Sequence, residues 1–129
     1  MKLHKILGLS IIFLLVIVSL SVHQDVSAAD HIFIVTNTGD SGSGSLRWAI
    51  NQANTHIGSG ETISIEFALE TSDPNYDSDT EVWTITPEFG SGPFPALIAG
   101  NTTIDGYSQI GSQQADGSNP AKLVVEIDG

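Results

Sequence analysis

One short stretch limits the fold more than any other. In "SLRWAINQAN", Ser45–Asn54, the apolar residues Leu46, Ala49, Ile50 and Ala53 recur at i, i+3, i+4 and i+7. That spacing makes one stripe along a helix. Almost nothing else in the chain has it, and the remainder reads as short β-like runs. Ser45 suits the N-cap, because its hydroxyl can accept a free amide of the first turn. Gly58 marks a stop. A helix of about three turns is marginal alone in water, so it must lie on an apolar surface. The preceding "NTGDSGSG", Asn37–Gly44, is turn material. Its glycines suggest a phosphate cradle, but the GxxxxGK[ST] spacing is missing and no lysine is near. A structural turn is the better account.

The N-terminus has the marks of export. Lys2 and Lys5 precede the nearly unbroken apolar run Ile6–Leu20, and Val26, Ser27 and Ala28 supply small residues for a signal peptidase. A signal peptide is expected over residues 1–29, with cleavage after Ala28 or Ala29. The run is short of the roughly 20 residues of a comfortable membrane span. No stable membrane span is therefore expected after cleavage, and the protein is expected to be secreted or held at the cell surface.

Only one of 15 acidic residues, Asp25, lies in that leader, whereas two of the four basic ones do. Asp30–Gly129 thus carries 14 acidic residues against Arg47 and Lys122, a formal charge of −12. Such a field repels nucleic acid and anionic lipid. It favours cations or basic partners, and it also keeps a protein soluble. There is no cysteine, so export brings no disulfide and stability must come from packing, metal or further chain. The final "KLVVEIDG" is a strand-like run with no polar tail, which reads as a truncation of a longer protein.

The β-like runs are His31–Thr36, Thr62–Phe67 with alternating Ile63, Ile65 and Phe67, Glu81–Thr86, and Leu123–Ile127. Asn101–Ile104 is short. Phe94–Ile98 is weakened by Pro93 and Pro95. "TTIDG" and "VVEIDG" echo each other 23 positions apart, ending at Gly106 and Gly129. That distance suits a solenoid coil with an inserted loop, although Asp-Gly also makes ordinary hairpin turns and an antiparallel sandwich competes.

Specific motifs add a resemblance. "VTNTGDSGSGSLRWAINQAN" (Val35–Asn54), "TISIEF" (Thr62–Phe67), "TTIDGYSQIG" (Thr102–Gly111) and "LVVEIDG" (Leu123–Gly129) together resemble the N-terminal region of secreted and cell-surface right-handed parallel β-helix proteins. The family form runs "VTNTNDSGPGSLRQAI..AN" and later "ITIDGTTQPG". Trp48 and Ile110 depart from it, standing where a polar residue and a proline are usual. The resemblance implies an all-β fold, a right-handed parallel β-helix with a short amphipathic capping α-helix. Residues 30–60 would be the first strand and the cap, and residues 61–129 the first coils. Ser45, Leu46, Arg47, Ala49, Ile50 and Ala53 would be the structural cap over the open end of the solenoid.

The function implied is that of an extracellular or cell-surface protein, this segment sealing and initiating the solenoid. Adhesion or carbohydrate binding would lie in a C-terminal part. The expected partners are carbohydrate, another cell-surface protein, and the rest of the same chain as packing partner. The alternative is an extracellular polysaccharide lyase or hydrolase of the same architecture. Asp105 and Asp128 could be its groove carboxylates, but their pairing with glycine says turn, and the scarcity of Arg and Lys argues against gripping a uronate polymer.

Two further features carry chemistry. Asp73, Asn75, Asp77, Asp79 and Glu81 alternate through "DPNYDSDTE" and offer oxygens of the kind calcium takes. Ser78 and Thr84 break the EF-hand pattern, so this is a loose calcium loop or a solvated acidic turn. His31 and His56 are the only histidines beyond the leader, and nothing in their spacing joins them to a carboxylate as a zinc set. Asn101-Thr102-Thr103 matches an N-glycosylation acceptor. Trp48, Trp83, Tyr76 and Tyr107 are candidates to stack on sugars. No nucleophile elbow appears.

Overall fold

The computed structural model describes residues 29–88 and 90–129. In chain order they form β1 (His31–Val35), α1 (Leu46–Asn54), β2 (Ile63–Phe67), β3 (Tyr76–Asp77), β4 (Val82–Ile85), β5 (Thr102–Asp105) and β6 (Val125–Ile127). A single 3-10 turn, Gly106–Ser108, follows β5. The leader expected over residues 1–29 lies outside the described residues, except for Ala29. Among the described residues no helix is long and apolar enough to cross a membrane.

Two three-stranded sheets result. The first runs β1-β2-β5 with both pairings parallel. Its register aligns His31 with Ile63 and Thr102, and Phe33 with Ile65 and Ile104. The second runs β3-β4-β6, antiparallel between β3 and β4 and parallel between β4 and β6.

Helix α1 packs on β1 and β2. Its four stripe residues, Leu46, Ala49, Ile50 and Ala53, are the buried ones. They meet Val35, Ile63, Ile65 and Phe67, and Leu69, Trp83, Ile85, Ala99 and Val124 complete the core. Each fully buried aliphatic side chain here contributes about 1.5–3 kcal/mol. The amide of Trp48 donates to Ser45 Oγ at 3.2 Å, so the N-cap is formed by the hydroxyl.

The expected all-β right-handed parallel β-helix is not what the chain forms. The described residues make a small mixed α/β fold of two sheets and one helix, with no solenoid. Two observations carry that correction. The two Asp-Gly echoes do not stack: β5 pairs with β2, and β6 pairs with β4 in the other sheet. The chain after Thr71 also folds back as the antiparallel pair β3–β4, Tyr76 opposite Trp83. A solenoid needs successive coils to pair in one direction, and this pair runs against it.

Phe94–Ile98, weighed as a weak strand, is irregular. Pro93 and Pro95 cannot donate to a ladder, and α1 fastens the segment instead. Asn54 Nδ2 donates to Ala96 O at 2.9 Å, and Asn54 Oδ1 accepts from the amides of Ile98 and Ala99 at 2.9 and 3.2 Å. A second side chain extends the backbone pairing elsewhere. Gln109 is buried and bonds Leu69 twice: Leu69 N–H donates to Oε1 at 2.7 Å, and Nε2 donates to Leu69 O at 3.0 Å.

The turn before α1 depends on Gly44. Its φ is +80°, and its carbonyl accepts from the amides of Thr36 and Asn37 at 2.8 and 3.2 Å. A Cβ at Gly44 would lie 2.3 Å from Thr36 Oγ1 and 2.9 Å from Asn37 Nδ2. Gly42, at φ +90°, has open space around it. Both replacements by alanine meet backbone strain of about 1–3 kcal/mol, but only Gly44→Ala adds a clash. Denaturant unfolding should therefore show Gly44→Ala clearly less stable than Gly42→Ala. Equal midpoints would mean the turn is not held as described.

Candidate functional site

Three places gather polar or titratable side chains. The first is a wide cleft of about 520 Å³ between the turn after β1 and the second sheet. Thr38, Asn75, Tyr76, Asp77, Thr86 and Glu88 are among its walls. Asp73 anchors one side of it. Thr38 N–H donates to Asp73 Oδ2 at 3.0 Å, the Thr38 hydroxyl donates to Asp73 Oδ1, and Asn75 Nδ2 donates to Thr38 Oγ1 at 3.0 Å. Burial alone would raise the Asp73 carboxyl, but the bonds from Thr38 and the Asn75 amide bring it below the usual range. Tyr76 lies against Trp83 with centroids 4.4 Å apart. Trp83 is itself buried and donates from Nε1 to Glu70 O at 2.9 Å. The ring of Tyr76 is thereby held in the wall of the cleft.

Several side chains of the acidic run considered for calcium have partners inside the protein. Asp73 faces Thr38. Asp77 Oδ1 accepts from the Asp79 amide at 2.8 Å, which with the Thr80 hydroxyl lowers its pKa. Glu81 pairs with Lys122 Nζ at 3.1 Å. Asn75 turns its side-chain amide to Thr38, and Asp79 is exposed. Asp105 ends β5 and Asp128 follows β6, so the two groove candidates belong to different sheets, and Asp105 Oδ1 accepts from Tyr107 N at 2.9 Å. Asn101 of the glycosylation motif is exposed in a turn at φ +56°. Trp48 meets Phe33 edge-on at 6.1 Å, and Tyr107 is 38% exposed.

The second place was not visible in the spacing. His31, His56 and Glu61 converge, with ligating atoms all within 4.8 Å of one another. His56 Nδ1 lies 2.8 Å from Glu61 Oε2 as a ring N–H donating to the carboxylate, and His31 Nε2 lies 3.3 Å from Oε1. The His56 contact foremost, then the Ser59 hydroxyl and His31, hold the Glu61 carboxyl down to about 2. The reading that no carboxylate accompanies the two histidines is therefore corrected. Parallel pairing of β1 with β2 sets the start of one strand beside the approach to the other, and helix α1 ends next to both. Among the described residues this is the one such group of three histidine, cysteine or acidic side chains.

The third place is structural. Arg47, of the helix signature, reaches back to the glycine-rich turn. Its Nη2 donates to Asp40 Oδ1 at 2.7 Å and to Gly92 O at 2.8 Å, Nε to Asp40 O at 3.1 Å, and Nη1 to Pro93 O at 2.8 Å. Its guanidinium also sits 5.1 Å from the Phe94 ring centroid. The Asp40 side chain is 1% exposed and Arg47's 13%. Asp40 Oδ2 is buried with no hydrogen-bond partner.

Compared with known protein families, with curated proteins and with solved structures, the chain matches none.

The Arg47 hydrogen bond holds Asp40 below the usual carboxylate range. A carboxylate lowered on folding adds stability at pH above its unfolded value, about 3.9. That contribution disappears as pH falls through the lower folded value. Thermal melts should show Asp40→Asn less stable than the parent at pH 7, with the gap closing as pH drops below about 4. A gap independent of pH would remove Asp40 from the acid response.

Proposed function

We propose that the chain is an exported module that acts outside the cell or at its surface by binding carbohydrate. The observation that carries this reading is the cleft walled by Tyr76 among Thr38, Asn75, Asp77, Thr86 and Glu88. Sugars present hydroxyls that donate and accept, alongside C–H faces that are apolar. Carboxylate, amide and hydroxyl side chains match the hydroxyls. A held aromatic ring matches the C–H face and loses little entropy on contact.

The carboxylates also select. Asp77 and Glu88 repel uronates and sulfated sugars, so the reading commits to neutral or amino sugars. The leader pattern of residues 1–29 and the resemblance of Val35–Asn54 to secreted and cell-surface proteins support export. The cleft is wide and shallow, and affinity for one short oligosaccharide should be on the order of 0.1–1 mM. Display of several such modules on a surface would raise that through multivalency, which is how weak sugar contacts give adhesion.

Saturation-transfer NMR against neutral, amino and uronic oligosaccharides tests the reading. Neutral or amino sugars should show contacts that titrate, and uronates none. Asp77→Ala and Thr86→Ala, both at exposed positions, should each weaken binding by about threefold to tenfold with the fold unchanged, as loss of a hydrogen bond predicts. Absence of saturable binding across the panel, in a chain whose melt is cooperative, would end the carbohydrate reading.

A further inference from the structure

We infer that His31, His56 and Glu61 form a binding site for a divalent first-row transition ion of the zinc class. Two imidazoles and one carboxylate are the donor types that zinc takes in three-ligand sites, with a water completing the tetrahedron. Zinc–ligand distances of about 2.0–2.1 Å put neighbouring donors about 3.3 Å apart. Here His31 Nε2 and Glu61 Oε1 are already 3.3 Å apart, and no pair of ligating atoms exceeds 4.8 Å.

The three donors come from separate elements whose positions are secured by other bonds. His31 opens β1, where Asp30 N–H donates to Thr62 O at 2.9 Å and Asp30 Oδ2 accepts from Thr62 N–H at 2.8 Å. His56 follows the C-cap of α1, its amide bonded to Ala53 O at 3.0 Å. Glu61 approaches β2, its amide donating to Ser59 Oγ at 3.2 Å. Donors held by the scaffold lose little entropy on metal binding. Phe33 backs the site, with its ring centroid 6.4 Å from that of His31 and 6.0 Å from that of His56. One side is thus apolar. The other is open, since the three side chains are 38%, 24% and 40% exposed, which leaves room for the completing water.

The donor set also decides the ion. Calcium and magnesium take oxygen ligands in sets of six to eight or octahedral arrays, and imidazole suits zinc, copper and nickel. The site is therefore distinct in chemistry from the acidic loop at Asp73–Glu81. It is equally independent of the sugar cleft, and either can fail alone.

The test is calorimetric titration of zinc chloride into the chelator-treated full chain, with NMR of the imidazole resonances. The expected result is one saturable equivalent and shifts of both the His31 and the His56 ring signals that stop at that equivalent. His56→Gln and Glu61→Gln should each weaken binding at least about tenfold, the lower end of what even outer ligand-shell losses cause. Asp77→Asn combined with Asp79→Asn should leave it intact. Cobalt(II) should give the intense visible absorption of a tetrahedral complex. Unsaturating heat, full binding in His56→Gln, or loss in the Asp77/Asp79 variant would each overturn the site. So would zinc saturation that leaves the two ring signals of the parent unmoved, a result that does not depend on any variant folding.

Discussion

Arg47 ties three parts of the chain together. From the first turn of α1 it bonds the glycine-rich turn at Asp40, the backbone at Gly92 and Pro93, and the ring of Phe94. Without it the turn would have no charge to set against buried Asp40, and the carbonyls of Gly92 and Pro93 would lose their side-chain donor. A guanidinium suits this task because its planar fork can serve several oxygens at once. Asn54, two turns further along the same helix, repeats the device on Ala96, Ile98 and Ala99. The helix thus does more than bury its apolar stripe. Its polar residues take the place of a strand partner for residues 92–99.

The same substitution of side chain for ladder recurs on the other side of the first sheet. At the end of β2, Ser108 Oγ accepts from Phe67 N at 2.7 Å, and just beyond it Gln109 takes both polar groups of Leu69. Backbone groups buried away from water must be paired, and here side chains do it where no strand continues. The outer strands β5 and β6 remain open on one side, with Ile104 42% and Ile127 51% exposed. Such edges are where sheets meet other chains.

How much was legible follows from the range of each interaction. The helix was readable because Leu46, Ala49, Ile50 and Ala53 report a local period, and Ser45 reports a local cap. The β-branched runs at β1, β2, β4 and β6 were readable for the same reason. β3 was hidden: Tyr76 and Asp77 sit in a polar loop, and they become a strand only because Trp83 offers a partner. Phe94–Ile98 has strand-like composition, yet its prolines and the reach of Asn54 decide otherwise. The similar "TTIDG" and "VVEIDG" suggested stacked coils, but identical local patterns can serve two different sheets. The partner of Arg47 and the meeting of His31, His56 and Glu61 had no local signal. A parallel pairing of β1 with β2, had it been read, would have set His31 near Glu61.

By itself the sequence determined where the chain can be helical or extended, the turn at Gly44, the absence of disulfides and the strongly acidic balance. Those properties depend on residues a few positions apart or on simple counts. Only the tertiary structure decided which strands pair, that a mixed α/β arrangement replaces a solenoid, which carboxylates are used up in internal bonds, and that two histidines share one glutamate. Many of these rest on contacts between residues some 30 to 45 positions apart, while the β3–β4 pair, Arg47 with Asp40 and His56 with Glu61 join near neighbours whose meeting the wider packing still decides. Such contacts are chosen by the packing of the whole core, and no local pattern encodes them.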